Sequence, residues 1–123
     1  MLIKIDVRET SLHMECLKLV SNYENIKIIV ETLPIGDIII CNDDMVEQII
    51  IERKTLNDLA SSIKDGRYNE QSFRLNGSSV PNHNIYYLIE GVLKYYDYKK
   101  SRLERKSLIS SFVSITYYKG FSI

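Results

Sequence analysis

A chain of 123 residues suffices for one compact domain, and its 45% hydrophobic and 26% charged side chains allow a core without disulfides or a structural metal. The formal net charge is zero, which excludes a whole-surface attraction to nucleic acid, and no run approaches the ~20 apolar residues of a membrane span. The opening Met1-Leu-Ile-Lys-Ile-Asp-Val-Arg-Glu9 lacks the layout of a secretory signal, so the expected location is intracellular: nuclear if the source is a cellular eukaryote, otherwise cytoplasmic or a viral replication site.

In chain order, Leu2, Ile3, Ile5 and Val7 predict a short strand ending at Asp6–Arg8–Glu9. Thr10 or Ser11 can cap a helix whose apolar residues Leu12, Cys16, Leu17, Leu19 and Val20 recur at helical spacing. Ile26 to Leu33 is a β-branched strand stopped by Pro34, and Gly36–Asp37 opens another over Ile38 to Cys41. Asn42–Asp43–Asp44 makes a turn, and Met45 to Arg53 returns as a strand. Thr55 to Ile63 has helical spacing, and a second helical piece begins near Arg67. A polar loop, Asn76 to Asn84, leads to a further strand, Ile85 to Glu90, and Arg102 to Tyr118 again has helical spacing.

Strands mixed with helices predict one three-layer α/β domain over residues 1–123, a central mixed sheet with helices on its faces. A flavodoxin-like order is the competing topology, but it offers no hairpin at Ile38–Arg53. Cys16 and Cys41 stand in no CxxC or CxxH pattern, and His13 and His83 are isolated, which argues against zinc. Lys94 to Lys106 carries six basic residues against two acidic ones, with Tyr95, Tyr96 and Tyr98 interleaved. Such a segment either binds a backbone and stacks on unpaired bases or is a solvated loop and helix start.

The hairpin carries the chemistry. With its tip at Asp44–Met45, antiparallel pairing sets Asp37 opposite Glu52, side chains on one face and roughly 5.5 Å apart at Cβ. Period two puts Lys54 beside Glu52 and turns Arg53 away. Asp6, at the end of the first strand, adds a third carboxylate, and Glu9 a fourth. Hydrolysis of a phosphodiester needs a deprotonated water, screening of a pentacovalent phosphate and a stabilised leaving oxygen; hard cations held by carboxylates supply these, and a lysine complements them.

Ile51-Glu-Arg-Lys-Thr-Leu-Asn-Asp58 matches the ERKxxxD signature of the XPF-type endonucleases, and the continuation through Asp65-Gly-Arg-Tyr-Asn-Glu-Gln71 to Leu75 resembles their Mus-type branch. Asp6-Val-Arg-Glu9 is similar to the family's DxRE, Gly36–Asp37 falls at its upstream metal aspartate, and Tyr86-Tyr-Leu-Ile-Glu90 and Gly120-Phe-Ser-Ile123 resemble its later strands.

The resemblance implies a restriction-endonuclease-like fold and metal-dependent cleavage of flaps, forks or nicked junctions. Asp37 and Glu52 are then the expected ligands of Mg²⁺ or Mn²⁺, with Asp6 and Glu9 completing or orienting the set. Lys54 positions the nucleophile, Arg53 orders the site or the substrate phosphate, and Asp58 orients its neighbours from the next helix. Arg8 is an expected DNA contact, Arg67, Gln71 and Arg74 either contact DNA or scaffold the site, and Lys99 and Lys100 represent the basic segment. The family also implies pairing of nuclease domains, with a second copy or with a related, non-catalytic subunit; the apolar helix around Leu108, Phe112 and Ile115 is either the candidate surface for that or part of the domain's own core. Two departures stand out: Asn57–Asp58 where the Mus branch often has two acidic residues, and no helix-hairpin-helix module, as in an excised catalytic domain or a minimal member relying on partners. The rival functions are a non-catalytic partner subunit, another nuclease on the same fold, and a plain DNA-binding module.

Overall fold

The computed structural model describes residues 1–123. Five strands, β1 (Leu2–Asp6), β2 (Lys27–Glu31), β3 (Ile38–Cys41), β4 (Glu47–Thr55) and β5 (Ile85–Glu90), form one sheet in the order β2-β1-β3-β4-β5. β1 runs parallel to β2 and β4 parallel to β5, while β1–β3 and β3–β4 are antiparallel, so the sheet is mixed. The helices are α1 (Thr10–Val20), α2 (Leu56–Asp65), α3 (Arg67–Asn76), α4 (Tyr98–Ser101) and α5 (Arg105–Val113). This is the expected three-layer α/β architecture, and the β3–β4 hairpin excludes the flavodoxin-like order.

Alternation along the strands decides where the core lies. Leu2, Ile39, Cys41, Ile50, Ile85 and Tyr87 point to one face and meet Leu56, Leu59 and Ala60 of α2, Tyr68 and Leu75 of α3 and Leu108 of α5 in a single buried cluster. Truncating a wholly buried member such as Leu59 to alanine costs about 2–5 kcal/mol. Ile5 and Ile38, paired across β1 and β3, are buried on the opposite face, and α1 has no buried residue of its own.

Three expected boundaries move. β4 starts at Glu47 rather than Met45, because Met45 adopts φ +64° inside the turn. Thr55 is not the first helical residue but the cap of α2, its Oγ1 accepting the Asp58 N–H at 3.1 Å. The expected helix from Arg102 is interrupted, since Arg102 at φ +60° ends the short α4; α5 begins at Arg105, and a π-helical turn spans Ser114–Tyr118. Of the two readings of the helix around them, Leu108 and Ile115 take the core: both are fully buried, and Phe112 packs against the same cluster.

Candidate active site

The hairpin register sets the site. Ile38 pairs with Ile51, which carries Asp37, just before β3, opposite Glu52. The tip is longer than two residues: Asn42 N–H donates to the Val46 carbonyl, and Asn42 Oδ1 accepts from both Asp44 and Val46 N–H at 3.0 Å. Near the tip Cys41 pairs with Glu47, and a one-residue shift between Ile40 and Cys41 restores the expected pairing along the rest of the hairpin. Without that bulge, every side chain beyond it would change faces. Gly36, at φ +72°, brings the chain in close against β4; a Cβ there would meet Ile50 Cγ2 at 2.6 Å.

Asp37 N–H donates to the Ile51 carbonyl at 2.8 Å, and Asp37 Oδ2 accepts the Arg53 backbone N–H at 2.7 Å. On β4, Glu52 and Lys54 share the buried face, Lys54 Nζ standing 3.5 Å from Glu52 Oε1 with both side chains at most 10% exposed. Burial lifts the Glu52 carboxyl to about 7, the Asp37 charge adding to the rise and Lys54 opposing it. Asp37 is also raised, chiefly by burial, with the Arg53 N–H holding it back. Both carboxylates therefore strain to shed charge, and a cation between them would relieve that.

These three residues line a cleft of about 390 Å³, together with Arg8, Arg53 and Asp58, and with Arg67, Gln71 and Arg74 from one face of α3. Arg74 reaches across to the Pro34 carbonyl, and Arg67 Nε is bonded to Asp65 at 2.7 Å. Arg53 turns to the other side of the sheet, as period two requires. There its guanidinium holds both oxygens of Glu90, at 2.7 and 3.0 Å, and Glu9 Oε2 at 3.0 Å. It thus braces β4, β5 and the entry to α1 behind Asp37.

The structure does not bring all the expected residues together. Asp6 is completely buried and spent: Oδ1 accepts from the Arg8 N–H at 3.0 Å and Arg8 Nε at 2.7 Å, and Oδ2 from the Leu33 N–H at 3.0 Å. These bonds, that to the Arg8 side chain foremost, lower its carboxyl to about 2. Asp6 holds Arg8 at the cleft instead of joining Asp37 and Glu52. Glu9 is likewise engaged with Arg53, off the cleft, its carboxyl raised by burial. Asp58 is the third carboxylate that lines the cleft. No three His, Cys, Asp or Glu side chains are gathered as ligands of one ion. Lys99 and Lys100 lie outside the cleft on exposed α4, while Tyr96 is occupied in the fold, its hydroxyl bonded to Ser101 Oγ and the Leu103 carbonyl.

Two residues escaped the sequence reading. Glu90 ends β5 on the same side as Arg53, a relation visible only once β5 is known to pair with β4. Tyr87, paired with Glu52 and 1% exposed, buries a hydroxyl that has no hydrogen-bond partner; Gln71 Oε1 is the other such atom. No helix is long and apolar enough to cross a membrane.

Comparison with known proteins accords with this geometry. The family model described as ERCC4 domain matches residues 5–123. The chain is 39% identical over 97 residues to a "Probable crossover junction endonuclease mus81" of Dictyostelium discoideum, a match covering 75% of this chain and 10% of that protein. Among solved structures, "XPF from Aeropyrum pernix" superposes with a TM-score of 0.68 at 26% identity over 99% of this chain and 54% of its own. The same protein in "complex with DNA" gives 0.65 at 26% identity over 98% and 54%. The chain thus spans about a tenth of the curated relative's length and about half that of the structural one.

Proposed function

The chain belongs to the ERCC4-domain family, on the Mus branch of the XPF/Mus-type structure-selective nucleases, and on that premise we propose that it is a metal-dependent endonuclease domain hydrolysing phosphodiester bonds in flap, fork or nicked-junction DNA during repair or recombination. The observation that carries the proposal is the convergence of Asp37, Glu52 and Lys54 in one cleft rimmed by Arg8, Arg67 and Arg74. The endonuclease name of the Dictyostelium relative and the DNA-bound archaeal XPF support it.

Two carboxylates of raised pKa, Glu52 buried and Asp37 half-buried, form an oxygen-only donor set, which fits a hard divalent cation. Asp37 and Glu52 would hold Mg²⁺ or Mn²⁺, and such an ion supplies acidified water and charge screening at the phosphate. Lys54, buried beside Glu52, orients the attacking water and complements the phosphate charge. Arg53 keeps Asp37 aimed through its backbone N–H and anchors β4 through Glu90 and Glu9. Arg8, Arg67, Gln71 and Arg74 meet the DNA backbone along the cleft wall, and Lys99 and Lys100 extend that contact.

We further propose that the domain pairs, with a second copy or with a related, non-catalytic subunit. With Leu108 and Ile115 buried, the candidate surface is the outward side of α5 and the turn after it, where Ile109, Val113, Tyr117 and Tyr118 are exposed.

The test is single-turnover cleavage, protein in excess, of labelled flap, fork and nicked-junction DNAs with Mg²⁺ or Mn²⁺. Cutting that vanishes in EDTA and in Lys54→Ala supports the reading. DNA binding without cutting in either metal, alone and with a paired subunit, would make the chain a non-catalytic partner instead.

A further inference from the structure

Tyr87 stands beneath the floor of the cleft. Its Cα is the register partner of Glu52 across the parallel β4–β5 pair, so both side chains leave the sheet on the same face. Its ring is fixed between Tyr68 and Phe121, at centroid distances of 6.5 and 5.7 Å. The hydroxyl at the end of that ring is buried without a hydrogen-bond partner. A buried hydroxyl with no partner costs stability, whereas phenylalanine would fill the same slot without that cost, so packing gives no reason for the oxygen. The neighbour that does is Glu52, its register partner on the same face of the sheet, whose carboxylate can only accept where a phenol donates.

We propose that Tyr87 is a positioning residue for Glu52, its hydroxyl holding the carboxylate through one water in the orientation in which Glu52 serves the site. This rests on the reading of Glu52 as an ion-holding carboxylate. Lys54 engages one side of Glu52 at 3.5 Å, a loose contact that leaves the carboxylate room to turn. A second donor, on a rigid strand and a clamped ring, removes that freedom.

The experiment compares wild type, Tyr87→Phe and Tyr68→Phe in the whole chain. The last is a control, since the Tyr68 hydroxyl already has Ser114 Oγ at 3.4 Å. Expected for Tyr87→Phe are an unchanged or higher urea midpoint, Mn²⁺ affinity lower by about tenfold in calorimetry, and a similarly slower single-turnover rate at saturating DNA. Tyr68→Phe should alter neither metal affinity nor rate. Equal Mn²⁺ affinity and equal rate in Tyr87→Phe and wild type overturn the proposal, as does a wild-type chain that binds no Mn²⁺. If the wild type binds Mn²⁺ but cuts no DNA, the nuclease reading fails alone, and the metal affinities still decide the role of Tyr87.

Discussion

Arg53 donates its backbone N–H to Asp37 Oδ2 at 2.7 Å while its guanidinium, on the other side of the strand, grips Glu90 and Glu9. One residue therefore aims the carboxylate that precedes β3 and ties down the strand that carries Glu52 and Lys54. Lysine cannot make the two-pronged bond to Glu90 and also reach Glu9. Arg53→Lys is expected to lower stability by about 1–2 kcal/mol, the ion pairs being a third exposed and so partly screened, and to slow cleavage. Urea unfolding and single-turnover rates check this; wild-type values for both would show the brace to be dispensable.

Asp37→Asn and Glu52→Gln are expected to abolish cleavage with the fold intact. Loss of an ion-holding carboxylate removes several kcal/mol of transition-state stabilisation, and each ~1.4 kcal/mol is tenfold in rate. Lys54→Ala should be severely slowed yet still bind Mn²⁺. Near wild-type cutting by a folded Asp37→Asn protein, verified by circular dichroism, would remove Asp37 from the site.

Asp6 provides the contrast. Its carboxylate serves Arg8 and Leu33, so Asp6→Asn should destabilise the fold by about 2 kcal/mol through lost charge-assisted bonds and leave Mn²⁺ affinity within a few-fold of wild type. A collapse of Mn²⁺ binding in a folded Asp6→Asn variant would return Asp6 to the ligand set.

Stability without metal should fall as pH rises. Glu52 is raised from 4.5 to about 7 in the folded state, so the folded chain binds its proton more tightly than the unfolded chain. The resulting penalty grows as pH climbs from 4.5 through 7 and reaches about 3 kcal/mol above that window. Asp6 acts oppositely: lowered from 3.8 to about 2, it contributes about 2 kcal/mol that is present above 3.8 and lost as pH falls toward 2. Urea midpoints at pH 5 and 8 should differ, Glu52→Gln should flatten the difference, and Mn²⁺ should rescue the pH 8 midpoint. A midpoint that climbs from pH 5 to 8 without metal would contradict the assignment.

The isolated chain should bind DNA weakly. Its net charge is zero, and the cationic cleft wall and the exposed Lys99 and Lys100 can neutralise only a few phosphates, so affinity should start low and fall steeply with salt. Attaching a second DNA-binding module should raise it by effective concentration alone. Anisotropy titrations onto flap DNA at two salt concentrations test this, with sedimentation reporting the oligomer; nanomolar binding by a strict monomer is the outcome that would sink it.

Local pattern alone determined the strands, most of the helices and the central pair of the site. Period two sets Glu52 and Lys54 on one side of β4 wherever the strand lies, and Gly36–Asp37 before an apolar run needs only its hairpin partner, across the five-residue turn between Cys41 and Glu47. The tip itself was misjudged by a residue, and the bulge at Ile40–Cys41 restored a register that the turn by itself would have lost. What only the tertiary structure decided was which other carboxylates share the cleft. Asp6 is claimed by the Leu33 N–H 27 residues on, and Arg53 by Glu90 37 residues on. Asp58 comes to the cleft because Thr55 caps α2 there, and Tyr87 lies under Glu52 because β5 docks parallel to β4. Such hydrogen bonds and strand pairings join segments with no periodic relation in the chain, so they become definite only when the sheet order and the helix entry angles are set.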